Sequence, residues 1–348
     1  MSVSDVCLIR SRGPSGEPVL RLGMPLVDEY LEFLEGRCRP NTVLAAAYDL
    51  KVFFGVVTRP PDEVTPADVL GFITVQRTGR SGEQRLQPMR ATGESAGVAT
   101  STVARRLSIV SEFFAYLLAR GEITANPVPR GLPTRRERSR PGQGVPLTRR
   151  TRRLPRILTP AEVDALTSAL RTHRDRAMVA AMVFGGMRRS EVLGLRMEDL
   201  RVAERRVFIA EGKGGHQRLV PISARFFTEL VAYLDTERPA DAGTDRVFVV
   251  LKGPNRGKPL SVRGLDEMLT GARRRAGLAH ATCHELRHTC LTRLREAGMA
   301  LEAVQAQAGH ASIETTRIYL HLADDWLASQ YRKAAEVLDA QLYPGGVQ

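Results

Sequence analysis

The spacing of apolar residues changes twice along this 348-residue chain and divides it into parts. Val27, Tyr30, Leu31 and Leu34 recur at three and four, the period of an amphipathic helix. Pro40-Asn41-Thr42 predicts a second helix, capped by Asn41, with Val43, Ala47, Leu50 and Phe54 turned inward. Thr65-Pro66-Ala67-Asp68 predicts a third: a capping threonine, proline at the first helical position and an acid in the first turn. Residues 79–99, rich in Gly, Ser, Thr and Arg, read as an exposed loop. A long helix follows from about Thr102 to Arg120, with Val103, Leu107, Val110, Phe114 and Leu117 on one face and Gly121 as its stop. Four or so helices and no good strand predict a small all-α domain over residues 22–127, behind a tail at 1–21.

Beyond residue 156 the pattern is helical again. Thr159-Pro160-Ala161-Glu162 is a full capping box, and helices continue through Arg196. The period then shortens. Arg206 to Ala210 and Gln217 to Ile222 are β-like runs around Glu211-Gly-Lys-Gly-Gly-His216, which predicts a hairpin with Lys213 at a Gly-rich turn. Helical patterns resume to the end, where Trp326, Leu327, Tyr331, Ala334 and Leu338 form a stripe along residues 324–341. The fold expected is mainly α with a small β-hairpin or sheet, in two domains.

Composition sharpens the picture through charge. Hydrophobic content of 43% is ordinary, but net charge is +13 with a pI near 10.2, which points to an acidic polymer as partner. Residues 130–156 hold ten arginines against one acid, Glu137. An internal segment this basic (the linker, 128–155) suits a strap across a phosphate backbone, with Arg135, Arg136, Arg138, Arg140, Arg149, Arg150, Arg152 and Arg153 as contacts and Arg105 and Arg106 beside them. Cys7, Cys38, Cys283 and Cys290 have no framework spacing, so a reduced, cytoplasmic setting is expected. Met1 to Arg12 is too polar for a signal peptide, and no apolar run approaches the ~20 residues of a membrane span. No membrane partner is expected.

His284-Glu285-Leu286-Arg287-His288 carries the chemistry and has two incompatible readings. As H-E-x-x-H it is a zinc-peptidase signature, with Glu285 as base and Glu302 or Glu314 as third ligand on spacing alone. As H-x-x-R-H it sets a histidine and an arginine on one helical face, suited to a phosphodiester. Arg287, at i+3 from His284, would crowd a divalent cation with positive charge, which weighs against zinc.

Four further elements tip the balance: Gly185-Gly-Met-Arg-Arg-Ser-Glu191 opening a helix with Arg188 in its first turn, Lys213 on the hairpin, Gly309-His310 after a short helix, and Tyr319 nine residues on. Each alone has a bland reading. Arg188 can pair with Glu191 on the surface, Lys213 can be merely solvated, His310 can cap a helix and Tyr319 can pack. In this order and spacing the five resemble the tyrosine recombinase (phage integrase) family, closely over about residues 156–322. The N-terminal helices resemble that family's SAM-like core-binding domain only in size and pattern. Departures are the Gly pair before Met187-Arg188, where Thr-Gly is common, and Ala308 in place of the usual Leu.

The resemblance implies a two-domain C-clamp, an all-α core-binding domain followed by an α+β catalytic domain at 156–322. It implies catalytic roles for Arg188, Lys213, His284, Arg287 and His310, and Tyr319 as nucleophile. Glu191 and His288 stand behind them, His288 with structural and functional roles equally open. No cofactor and no metal are implied. The partners implied are double-stranded DNA with specific recombination sites and further copies of the chain, a dimer on one site and a tetramer in synapsis, in the bacterial nucleoid. An accessory factor or partner recombinase stays open, as does whether residues 323–348 pack in cis or exchange between protomers. Runner-up functions are relaxation of the type IB topoisomerase kind and non-catalytic DNA binding on the same fold. Integration, excision, transposition, integron-type exchange and chromosome-dimer resolution are not distinguished.

Chemistry alone supports the same roles. Planar guanidiniums bind the non-bridging oxygens of a phosphodiester bidentately, which fits Arg188 and Arg287. A tyrosine hydroxyl, with pKa near 10, needs ~4 kcal/mol of help at neutral pH. His284 can accept its proton, His310 can donate to an oxygen, and Lys213 can protonate the leaving 5′-oxygen.

Overall fold

The computed structural model describes residues 6–12, 18–79, 97–129, 147, 156–210, 217–310 and 316. The chain forms two compact units, Met1–Arg152 and Arg153–Gln348, and their boundary falls within the expected linker. The linker arginines (Arg135, Arg136, Arg138, Arg140, Arg149, Arg150, Arg152 and Arg153), Lys213, Tyr319 and the C-terminal stripe lie outside the described residues.

In the first unit, β1 (Ile9–Arg12) pairs antiparallel with β2 (Pro18–Arg21). Four α-helices follow among the described residues: α1 (Pro25–Glu35), α2 (Pro40–Phe54), α3 (Pro66–Thr78) and α4 (Thr100–Arg120). The expected tail is thus partly a structured edge: Leu20 and Leu22 are buried with the helices, because alternation in Pro18–Arg21 turns Leu20 to the core. α2 starts two residues earlier than a cap at Asn41 would place it. Pro40 takes the first helical position and Arg39 the cap, so Asn41 lies inside the helix and caps nothing. Proline's fixed φ favours that position over a capping asparagine one residue later. Thr65 does cap α3, closing a capping box with Asp68, and Gly121 ends α4 at φ +78°.

The core of this unit is aromatic. Phe53 stands edge-on to Phe54, Phe72 and Phe114, with ring centroids 5.0, 5.1 and 6.1 Å apart. Each such pair adds about 0.5–1.5 kcal/mol beyond its buried area. Beside it, Asp49 of α2 is buried and held by Arg105, with Nη2 to Oδ1 at 2.8 Å, and by Arg106 Nε at 3.7 Å. Burial raises the Asp49 carboxyl despite these cations. Arg106 also donates to Gln76, so both arginines expected at DNA have partners inside their own unit.

The second unit holds α5 (Pro160–Ser168), α6 (His173–Gly185), α7 (Arg189–Gly194), α8 (Ala224–Thr236), α9 (Val262–Arg275), α10 (Cys283–Glu296) and α11 (Leu301–Ala308). A three-stranded antiparallel sheet lies between α7 and α8, in the order β3 (Leu200–Arg201), β4 (Arg206–Ile209), β5 (Arg218–Pro221). The hairpin was legible, whereas the two-residue β3 is too short to leave a period. The capping box at Thr159 and Glu162 forms as expected. α6 is the central element: every residue from Ala177 to Val183 is buried. A helix apolar all round has no solvent face, and small side chains let its neighbours approach. Its C-terminus is where the site begins. Mainly helical with a small sheet, the fold is the one the pattern predicts.

Candidate active site

α6 ends at Gly185, and Gly186 turns the chain at φ +63°. A side chain there would meet Leu291 Cδ2 at 3.1 Å and Cys290 Sγ at 3.4 Å, so the turn presses on α10 and needs glycine. Arg188 emerges from this turn as the residue preceding α7, in extended backbone, and not within the helix's first turn as expected. The local reason is its capping arrangement: the Arg188 backbone N–H donates to Glu191 Oε2 at 2.8 Å.

Glu191 is the hub. Its side chain is 1% exposed. Oε1 accepts from Arg188 Nη1 at 2.7 Å and from Arg218 Nη1 at 3.0 Å, while Oε2 accepts from Arg188 N and from Arg218 Nη2 at 2.9 Å. Arg287 Nη1 lies 4.0 Å from Oε2. Burial opposes the charge, but the Arg218 fork and the Arg188 bonds outweigh it and hold the carboxyl below its usual range. The surface pairing of Arg188 and Glu191 is therefore not what forms. Glu191 is buried, Arg188 is half-buried, and the carboxylate is shared with a second guanidinium.

Arg287, on α10, is 4% exposed. It donates to the carbonyls of Gly186 and Ala308, which are the ends of α6 and α11, and its Nη2 lies 3.1 Å from His310 Nε2. A guanidinium only donates, so Nε2 accepts, and His310 Nδ1 carries the proton toward Thr316 Oγ1 at 3.0 Å. Arg188 Nη2 donates to Gly309 O at 2.9 Å. Arg188, Arg287 and His310 are thereby brought together over the end of α11, which Gly309 closes at φ +59°.

His284 and His288 meet edge-on on α10, their rings 87° apart, with Nε2 to Nε2 at 2.7 Å. That contact needs one N–H and one lone pair, so both rings cannot be protonated in it. Burial first, then His284 and Arg287, push His288 down to about 4. Burial and Arg287 lower His284 also, and burial with Arg287 and Arg188 brings His310 to about 4. All three imidazoles are neutral at physiological pH. Glu285, the base in the zinc reading, is turned away: its carboxylate accepts from Thr282 N at 2.8 Å in a capping box that starts α10. The zinc signature loses its base to a helix cap.

The geometry joins two guanidiniums and a neutral imidazole around one spot, an arrangement for an anionic tetrahedral group. The sequence profile of the phage integrase family matches residues 156–325. A relative named tyrosine recombinase XerC from a Roseiflexus species is 33% identical over 309 residues, covering 85% of this chain and 88% of that one. A namesake from Herpetosiphon aurantiacus is 31% identical over 325 residues, covering 89% and 94%.

The chain belongs to the phage integrase family of tyrosine recombinases.

Among solved structures, the integrase of transposon Tn1549 in complex with transposon right-end DNA shares the fold, with a TM-score of 0.66 at 17% identity over 90% of this chain and 99% of that one. The recombinase profile spans all six catalytic candidates, Arg188, Lys213, His284, Arg287, His310 and Tyr319. The structure joins Arg188, Arg287 and His310 and sets His284 on α10 within the field of Arg287, while Lys213 and Tyr319 lie outside the described residues. Two residues that the sequence pattern did not single out belong to the same cluster. Arg218 forks onto Glu191, and Gln307 ties Gly185 O and Pro221 O together at 2.9 and 3.0 Å. The only sequence signal for Arg218 was its place at the start of a strand.

Proposed function

We propose that this tyrosine recombinase cuts and rejoins double-stranded DNA at a specific site, with Tyr319 as nucleophile. Its hydroxyl oxygen attacks the scissile phosphorus and the bond to the 5′-oxygen breaks, leaving a 3′-phosphotyrosyl ester and a free 5′-hydroxyl. A second 5′-hydroxyl then attacks the ester and releases the tyrosine. The ester conserves the energy of the phosphodiester, so chain residues suffice to close the cycle.

Arg188 and Arg287 bind the non-bridging oxygens, where charge gathers in the transition state. His284, neutral through burial and the neighbouring Arg287, accepts the tyrosine proton. Lys213 gives a proton to the leaving 5′-oxygen. His310 meets the phosphate from the end of α11. The observation that supports this best is the convergence of Arg188, Arg287 and His310 on the Gly309 turn, each through a contact of 3.1 Å or less.

The linker arginines would track the phosphate backbone, and two copies on one site with four at synapsis would pair the strands. Among the described residues no helix is long and apolar enough to cross a membrane. Covalent capture tests the reading. Wild-type protein incubated with a nicked-duplex library randomised across its centre should trap detergent-resistant adducts, and Tyr319→Phe should trap none. An adduct formed by Tyr319→Phe would move the nucleophile elsewhere.

A further inference from the structure

We propose that Arg218 is a positioning residue for strand cleavage: by occupying both oxygens of Glu191 it leaves Arg188 and His310 set for the phosphate. The proposal rests on the recombinase reading above and adds to it a residue that never touches DNA.

Three observations carry it. First, Glu191 is saturated. A carboxylate offers about four acceptor sites, and the structure fills four, two from Arg188 and two from Arg218. Without Arg218 the buried carboxylate would have two acceptor sites unfilled beside the guanidinium that must also hold the scissile phosphate. Glu191 and the phosphate would then compete for Arg188. Arg218 offsets that competing charge from the far side.

Second, Arg218 supports the end of α11. Its Nε donates to Gln307 O at 3.3 Å, and a Cβ built on Gly309 would stand 2.7 Å from its Nη1 and 2.9 Å from its Cζ. The guanidinium therefore lies flat against the main chain of the residue that precedes His310 and whose carbonyl receives Arg188. Third, Arg218 pairs with Ile209 in the β4–β5 register, the last pair at that end of the two strands. One side chain thus ties that end of the β4–β5 pair to the Arg188 and His310 segments. It is 12% exposed, so it is spent on this network and not on solvent.

A packing role and a charge-positioning role differ in a double-mutant cycle. The substrate is the duplex that wild-type protein first captures from the randomised library; if wild type captures none, the recombinase reading fails before any Arg218 variant is needed. At saturating duplex, Arg218→Met should slow adduct formation roughly 10- to 100-fold, as expected for misplaced catalytic groups, with affinity for the duplex within about threefold of wild type. Arg218→Lys should recover part of the rate, since a point charge cannot fork onto both oxygens. Combining Arg218→Met with Glu191→Gln removes the unbalanced charge, so the double variant should react at least about fivefold faster than the product of the two deficits predicts. Deficits that multiply, or a wild-type rate in Arg218→Met, would overturn the proposal. Should Arg218→Met fail to fold on thermal melting, Arg218→Lys takes its place in the cycle, and a wild-type rate there overturns it equally.

Discussion

Glu191→Ala removes the carboxylate that Arg188 and Arg218 share, and its cost can be worked from the contacts. Breaking a buried ion pair from one side leaves uncompensated charge and costs about 3–5 kcal/mol. Glu191 is 1% exposed, but the Arg188 and Arg218 side chains are 21% and 12% exposed, so both cations can regain some water. The expected loss is therefore at the low end, about 3 kcal/mol. For a unit of this size that corresponds to roughly 6–12 °C in Tm. The pH dependence carries the sign. The Glu191 carboxyl is held below its usual range in the fold, so its contribution is fully present above the unfolded value of about 4.3 and is lost as pH falls through the folded value. Urea denaturation of the full chain, followed through the transition of the Arg153–Gln348 unit, should show the wild-type advantage at pH 7 and a shrinking gap below pH ~4. A difference under ~1 kcal/mol at pH 7, or one that does not change with pH, would refute the hub role of Glu191.

Two further outcomes are expected. His288 is brought to about 4 in the fold against about 6.5 unfolded, so the unfolded chain binds more protons between those values and stability falls as pH drops through that window. His288→Asn should flatten this slope in denaturation measured from pH 7 to pH 4, and an unchanged slope would assign it to the other imidazoles. Gly309→Ala forces a side chain into φ +59° and against Arg218, whereas Gly298→Ala meets φ +93° with nothing within 4 Å. Both should lose about 1 kcal/mol to backbone strain, but only Gly309→Ala should also slow adduct formation, read on the captured duplex.

The capping boxes show what is legible in a sequence. Thr65 with Asp68 and Thr159 with Glu162 each act within three residues, so the chain spells them out, whereas the equally local box of Thr282 with Glu285 was masked by the H-E-x-x-H pattern. Asn41 shows the limit: two local preferences met, and proline's fixed φ took the helix start two residues earlier. β3 is two residues long, below the length at which a period can be read.

The candidates Arg188, Lys213, His284, Arg287, His310 and Tyr319 were legible from their order and spacing alone. What the chain could not state is who neutralises whom. Arg188 beside Glu191 reads equally well as a surface pair, and Arg218 reads as an ordinary strand residue, 27 positions from its partner. Their shared role follows from burial, which raises the cost of an unpaired carboxylate far above its cost in water. Burial is set by α6, α10 and α11 packing at one point. Only the tertiary structure decides that.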